Sequence, residues 1–207
     1  MNKKNFFAHL HTVLTHRKWV RRYCFKAGLY WQGLVHDLSK YNPIEFFESV
    51  KYYQGDSSPI VACKAAKGYS KAWYHHRAKN KHHREFWADN FDKGTSSFPM
   101  PYKYAAEMLC DFLAAGRAYS GIAFTYTEEL NWWKKQLDKN ICIHPMTAKF
   151  IDIVLTELAC FRYKYDEEEK SILKNLPFFF QKAEEWNRLN EFNKTYYGRS
   201  LDFKDKL

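Results

Sequence analysis

The sequence predicts an all-α fold, a helical bundle with a C-terminal helical extension. Apolar residues recur at spacings of three and four through most of the chain, the period of a helix with one buried face. No segment shows the alternation of a half-buried strand, and no internal repeat is visible. Pro, Ser and Asn stand where helix starts need them. With 207 residues, 46% hydrophobic and 19% aromatic, the chain has ample material for a core.

The first helix carries Phe6, Leu10, Val13, Val20 and Cys24 on one stripe, with His9 and His16 on or beside it. Gly28 interrupts, and a short helix brings Leu34, Val35 and Leu38 up to Lys40. Asn42 and Pro43 open "PIEFFESVKYYQG", and "GDSSP" (55–59) is a loop and a helix start. Ser70 caps the segment holding Trp73 to His76. "RAKN" reads as a turn, and Asn80 caps a further helix from Lys81. "DKGTSSFPMP" (92–101) is a loop, and "PYKYAAEMLCDFLAAGRAY" is a strong helix. Thr127 with Glu129 begins another through Lys139, and Pro145 begins one through about Phe161. From Tyr165 the character changes: "DEEEK" reads as a charged connector, and "PFFFQKAEEWNRLNEFNKTYYGRS" as an amphipathic helix and polar tail. The division is thus 1–164 for a metal-binding bundle and 165–207 for an extension that packs on the core or meets another subunit.

Lys and Arg outnumber Asp and Glu by 33 to 23, a net charge of +10. That balance suits anionic partners such as nucleotides, nucleic acid, phosphorylated metabolites or an acidic membrane surface, and does not choose among them. A solvated basic surface is the bland alternative. Five cysteines, at 24, 63, 110, 142 and 160, form no CxxC pair. Cys24, Cys110 and Cys160 lie in apolar stripes and read as buried thiols of a reducing compartment. The N-terminus lacks the apolar core of a signal peptide, and no apolar run nears the ~20 residues of a membrane span. A cytoplasmic protein without membrane partners is expected.

The chemistry starts at "GLVHDLSKYNPIEF". His36 and Asp37 both suit divalent transition metals, though adjacent helical residues do not face each other unless the ion sits over a helix end. His16 lies on the first helix's stripe, where a satisfied core histidine is the plainer reading. His75, His76, His82 and His83 follow in "WYHHRAKNKHHREFW". Asp111 stands in mid-helix among Leu109, Cys110, Phe112 and Leu113, where a carboxylate needs a partner or a metal. Glu107 shares its face as an extra ligand or as an acceptor for a histidine N–H. His144 precedes Pro145 in a capping position, and His9, one heptad before His16, is an outer candidate at most.

The order His, His-Asp, His pairs, Asp resembles the HD-domain superfamily of metal-dependent phosphohydrolases, over roughly residues 9 to 120. "HDLSK" parallels the HDxGK of the HD-GYP cyclic-dinucleotide phosphodiesterases, with Ser39 in place of Gly and no GYP signature. "GLVHDLSKY", "SPI", "NKHH" and "YKYAAEMLCD" look more specifically like an uncharacterised bacterial family. The superfamily resemblance implies an HD-like helical bundle in which His16, His36, Asp37 and Asp111 hold one metal. It also implies that Asp37 bridges to a second held by His76 and the 82/83 pair. It implies Fe, Mn, Co, Ni or Zn, one or two ions, and hydrolysis of a nucleotide or other small phosphoester by a metal-activated hydroxide. Asp37 and Lys40 are then the catalytic candidates, and Lys40, Arg77 and Lys79 (with Lys81) meet the small anionic substrate. Tyr41, Tyr52, Tyr53, Trp73 and Trp87 stack on a base or merely pack. The same ligand order serves di-iron oxygenases of this fold, such as myo-inositol oxygenase. A third reading is a non-catalytic, metal-stabilised nucleic-acid module, for which no reading motif is visible.

Overall fold

In the computed structural model, which describes residues 3–89, 96–160 and 166–203, helix α1 runs from Lys3 to Lys26. His9, Val13, His16, Val20, Tyr23 and Cys24 form its buried face, at the spacing of one helical stripe. Gly28, with φ 74°, turns the chain after it. Helix α2 (Tyr30–Val35) stops early because the backbone breaks at His36 and Asp37. Asp37 adopts φ 55°, a left-handed conformation that costs a side-chain-bearing residue roughly 1–2 kcal/mol. A 3-10 helix, Leu38–Tyr41, follows.

Asn42 starts α3 (Pro43–Lys51) by accepting the Ile44 N–H at 2.9 Å. Pro59 opens α4 (Pro59–Lys67), which Gly68 closes with φ 78°. Ser70 caps α5 (Lys71–Lys79) by accepting the Trp73 N–H at 3.0 Å. Two expectations fail here. Arg77, Ala78 and Lys79 continue α5 instead of turning, and Asn80 ends that helix rather than starting another. The Asn80 amide donates to the His76 carbonyl at 2.7 Å and the Ser39 hydroxyl at 2.8 Å, so it is committed backwards. A 3-10 turn, Arg84–Trp87, replaces the expected helix.

Strand β1 (Ala88–Asp89) pairs antiparallel with β2 (Ser96–Ser97), so the expected loop at 92–101 contains a two-residue strand; residues 92–95 lie outside the described ones. Helix α6 (Tyr102–Ser120) buries Leu109, Cys110, Leu113 and Ala114 along α1. Thr125, not Thr127, caps α7 (Tyr126–Leu137), its hydroxyl accepting the Glu128 N–H at 3.1 Å. His144 Nδ1 accepts the Met146 N–H at 3.2 Å at the start of α8 (Pro145–Cys160). Phe161 lies outside the described residues, as does the expected boundary at 164/165.

The supposed charged connector is helix α9 (Asp166–Lys174). Its Glu169 is drawn inward by Lys26 at 2.5 Å and by the Tyr126 hydroxyl, which gives the acidic stretch a reason to fold. Helix α10 (Leu176–Tyr197) then lies along α8. Leu173, Leu176 and Ala183 join Val20, Leu109, Trp133, Phe150 and Leu155 in one core, so the extension packs on the bundle. The fold is all-α, and no described helix is long and apolar enough to cross a membrane. All five cysteines are free; Cys24, Cys63 and Cys110 are buried, whereas Cys160, expected inside, is exposed at the end of α8.

Candidate metal centre

The break in the chain at His36 and Asp37 solves the problem that neighbours on a helix diverge. With His36 extended and Asp37 left-handed, both side chains turn into the space between α1, α5 and α6, and both residues are buried. Asp37 shows a different oxygen to each of two histidine sets. Oδ2 lies 3.5 Å from His16 Nε2 and 3.3 Å from His36 Nε2. Oδ1 lies 3.3 Å from His76 Nε2 and 3.4 Å from His82 Nε2. Asp111 Oδ1 completes the first set, 3.0 Å from His16 Nε2 and 3.5 Å from His36 Nε2. His83 joins the second, so the sets are His16, His36, Asp37, Asp111 and Asp37, His76, His82, His83.

The donor chemistry fits a divalent metal in each set. The Nε2 atoms of His16, His36, His82 and His83, and Asp37 Oδ1, are buried without a hydrogen-bond partner among the described residues. Such atoms are costly unless something fills the space between them. Donors that bind one ion tetrahedrally at ~2.1 Å stand about 3.4 Å apart, close to the separations across both sets.

The far sides of the rings are held by two glutamates. Glu107 Oε1 meets His36 Nδ1 at 2.9 Å and His82 Nδ1 at 3.2 Å. Glu45 Oε2 meets His76 Nδ1 at 2.7 Å, and Glu45 Oε1 meets His75 Nδ1 at 2.6 Å. A carboxylate at Nδ1 keeps the proton there and aims the Nε2 lone pair at the metal. Glu107 therefore has the acceptor role, and His76 rather than His75 faces the centre. Ser39 and Asn80 extend the support, the Ser39 hydroxyl donating to Glu45 Oε2 at 3.2 Å. Reading the residues alone missed Glu45, because it falls three after Asn42, where a capping glutamate is the first interpretation. Its one signal is a place beside Phe46 on the buried face of α3.

Electrostatics follow from burial against pairing. Burial works to raise Asp37, but His36, Lys40 and His76 outweigh it and hold the carboxyl well below the usual range. Asp111 is likewise held low against burial by His16 and His36. Burial opposes charge on His36, yet Asp37, Asp111 and Glu107 raise it well above an ordinary histidine. Burial, then His82 and His76, lower His83, which leaves a neutral ring suited to ligation. Four carboxylates around the rings thus call for positive charge. Lys40 supplies part of it, its Nζ 2.5 Å from Asp37 Oδ2.

A cavity of about 190 Å³ opens beside both sets, lined by His16, Lys40, Trp73, His76, His83 and Asp111 among others. His9 also reaches it but packs against Phe46 and Tyr53 and belongs to neither set; burial and then Lys40 lower it to about 4. Arg77 and Lys79 do not line it. Because α5 continues, Arg77 lies over the Tyr74 ring and Lys79 is exposed. Lys81 sits near the rings of Phe86 and Tyr104, and Tyr41 is held by Arg17.

Residues 5–157 match the model of a family of unknown function (DUF5662). The chain belongs to that family. The DUF5662 match begins in α1 and ends in α8, so it contains both ligand sets together with Glu45 and Glu107. Comparison with curated proteins and with solved structures returns no match.

Proposed function

We propose that this DUF5662 protein is a metal-dependent phosphohydrolase of the HD type, acting on a nucleotide or another small phosphoester. One observation carries the reading: the Asp37 carboxylate is shared between two donor sets in which the Nε2 atoms of His16, His36, His82 and His83 are buried without a hydrogen-bond partner among the described residues. Two divalent ions there would lower the pKa of a water and neutralise a phosphoryl oxygen. His16, His36, Asp37 and Asp111 would hold one ion, and Asp37, His76, His82 and His83 the other. The protein's part is orientation. Glu107 and Glu45 fix the protons of His36, His82 and His76 at Nδ1. Lys40, paired to Asp37 at the cavity wall, is the ammonium best placed to meet the anionic substrate. No Ser or Cys nucleophile is required.

The test is elemental analysis of protein purified without chelator, followed by a phosphoester panel with the metal found. Asp37→Ala should lose metal from both sets and all phosphate release. Hydrolysis that survives in this variant would sink the proposal. The second set, three imidazoles and one carboxylate, also suits iron, which favours a di-iron oxygenase as the second reading. Iron-dependent oxygen uptake without phosphate release would select it.

A further inference from the structure

Beside the metal cavity lies a groove of about 840 Å³, within the usual range for small-molecule sites. The two share Trp73, His83, Ala115 and Tyr119, so the groove continues from the second donor set. Its walls are aromatic: Phe112 on α6 and Trp132 on α7 meet edge to face at 5.1 Å, and Phe124 adds a third ring. Its charges largely cancel. Arg84 is paired with Glu85 at 2.8 Å and donates to the Cys142 carbonyl at 3.0 Å, while Lys135 and Glu128 both line the groove. A polyphosphate or a nucleic-acid strand needs uncompensated cations, and this groove does not supply them.

Two buried polar groups on the wall have no partner among the described residues. Trp133 is fully buried, and its Nε1–H finds no acceptor. Leaving such a donor unmet is costly. Glu129 is 8% exposed, and its carboxyl makes no hydrogen bond among the described residues. It fits because residue 116 is Gly: a Cβ there would lie 2.5 Å from Glu129 Oε2. Burial, and then Asp111, push Glu129 up to about 8, so at neutral pH the carboxyl is mostly protonated and able to donate. The groove therefore offers flat apolar walls and, at Glu129, a hydrogen-bond donor in search of an acceptor.

We propose that this groove binds an uncharged heteroaromatic ring of the substrate, packed among Phe112, Trp132 and Phe124, with Glu129 donating to a ring-nitrogen or carbonyl acceptor. Only the ring's attachment to a phosphate rests on the phosphohydrolase reading; that reading makes the substrate a mononucleotide-like monoester. Glu129 is then the residue that selects the ring.

The full-length protein is titrated with adenosine, cytidine, ribose and inorganic phosphate, following quenching of tryptophan fluorescence. Phosphate release is measured in parallel from adenosine 5′-monophosphate, cytidine 5′-monophosphate and ribose 5-phosphate. A nucleoside should bind at least about tenfold more tightly than ribose. Trp132→Ala and Glu129→Ala should each weaken it about tenfold, and Glu129→Gln, whose amide still donates, by no more than roughly threefold. Metal content should be unchanged in all three. Trp132 is 41% exposed, so its truncation leaves the core intact even if the Glu129 variants fold poorly. Nucleoside binding no tighter than ribose, or indifferent to Trp132→Ala, would overturn the ring site. Phosphate release from ribose 5-phosphate as fast as from the nucleotides would do the same. Nucleoside binding without phosphate release from any ester would instead overturn the phosphohydrolase reading and uphold the ring site.

Discussion

Glu107 carries two imidazoles with one oxygen, and this makes it the most informative single residue beside the ligands. Burial tends to raise its pKa, but His36 and His82 win and keep it ionised, able to accept both Nδ1 protons. Gln at this position keeps the shape and removes the charge. Glu107→Gln should therefore weaken metal affinity about 10–100-fold, measured by competition against a chromogenic chelator. Unchanged affinity would mean that the rings are held by packing alone. At this scale the sequence pointed to the residue types that gather in the two donor sets. A mid-helix Asp111 among apolar neighbours and the His36-Asp37 pair are hard to explain otherwise. Glu45 stayed hidden because its role depends on α5 packing against α3, which no local pattern reveals. Arg77 and Lys79 stand away from the cavity for a related reason: one expected turn, in fact helical, decides which way every side chain after it points.

Helix α5 is only nine residues long and carries His76. A helix this short owes its persistence to caps and packing rather than to propensity. Ser70 does both jobs, accepting the Trp73 N–H and donating to Glu48 Oε1 at 2.7 Å, while Glu48 also takes the Ala72 N–H at 2.8 Å. Ser70→Ala should cost about 1 kcal/mol for the cap and lower Tm by roughly 2–4 °C, with Ser70→Thr restoring most of it. Thermal melting followed by circular dichroism measures this, and an unchanged Tm would show that packing alone holds the start of α5. Helix starts marked by Ser70, Asn42 and Pro145 were legible because caps are local chemistry. Asn80 was not, since the same side chain serves a helix end when a partner such as Ser39 lies behind it. The acidic stretch of α9 was not legible either, since its helix is anchored by Lys26 and Tyr126, far away in the chain.

The molecule as a whole is pinned by its polar centre as well as by its core. His16 on α1 and Asp111 on α6 meet the break after α2 in one set, and His76 on α5 meets that break in the other, so ions in both sets would tie together four parts of the fold. Anything that binds only the folded chain stabilises it, by about 2.7 kcal/mol at a hundred times its dissociation constant. Excess chelator should accordingly lower the Tm of metal-loaded protein by roughly 5–10 °C. No shift would mean that the centre holds its shape through carboxylate, imidazolium and Lys40 contacts alone. The all-α class was legible because period and caps agree over most of the chain. The groove between α6 and α7 was not, because it exists only after those helices dock. The spread of the ligands also sets an order during synthesis. Asp37, His76, His82 and His83 all precede α6 in the chain, so they leave the ribosome as a complete histidine-rich set before that helix does. Glu107, which orients His82, and Asp111, which completes the first set, arrive together one helix later, so the nascent chain acquires its two sets one after the other.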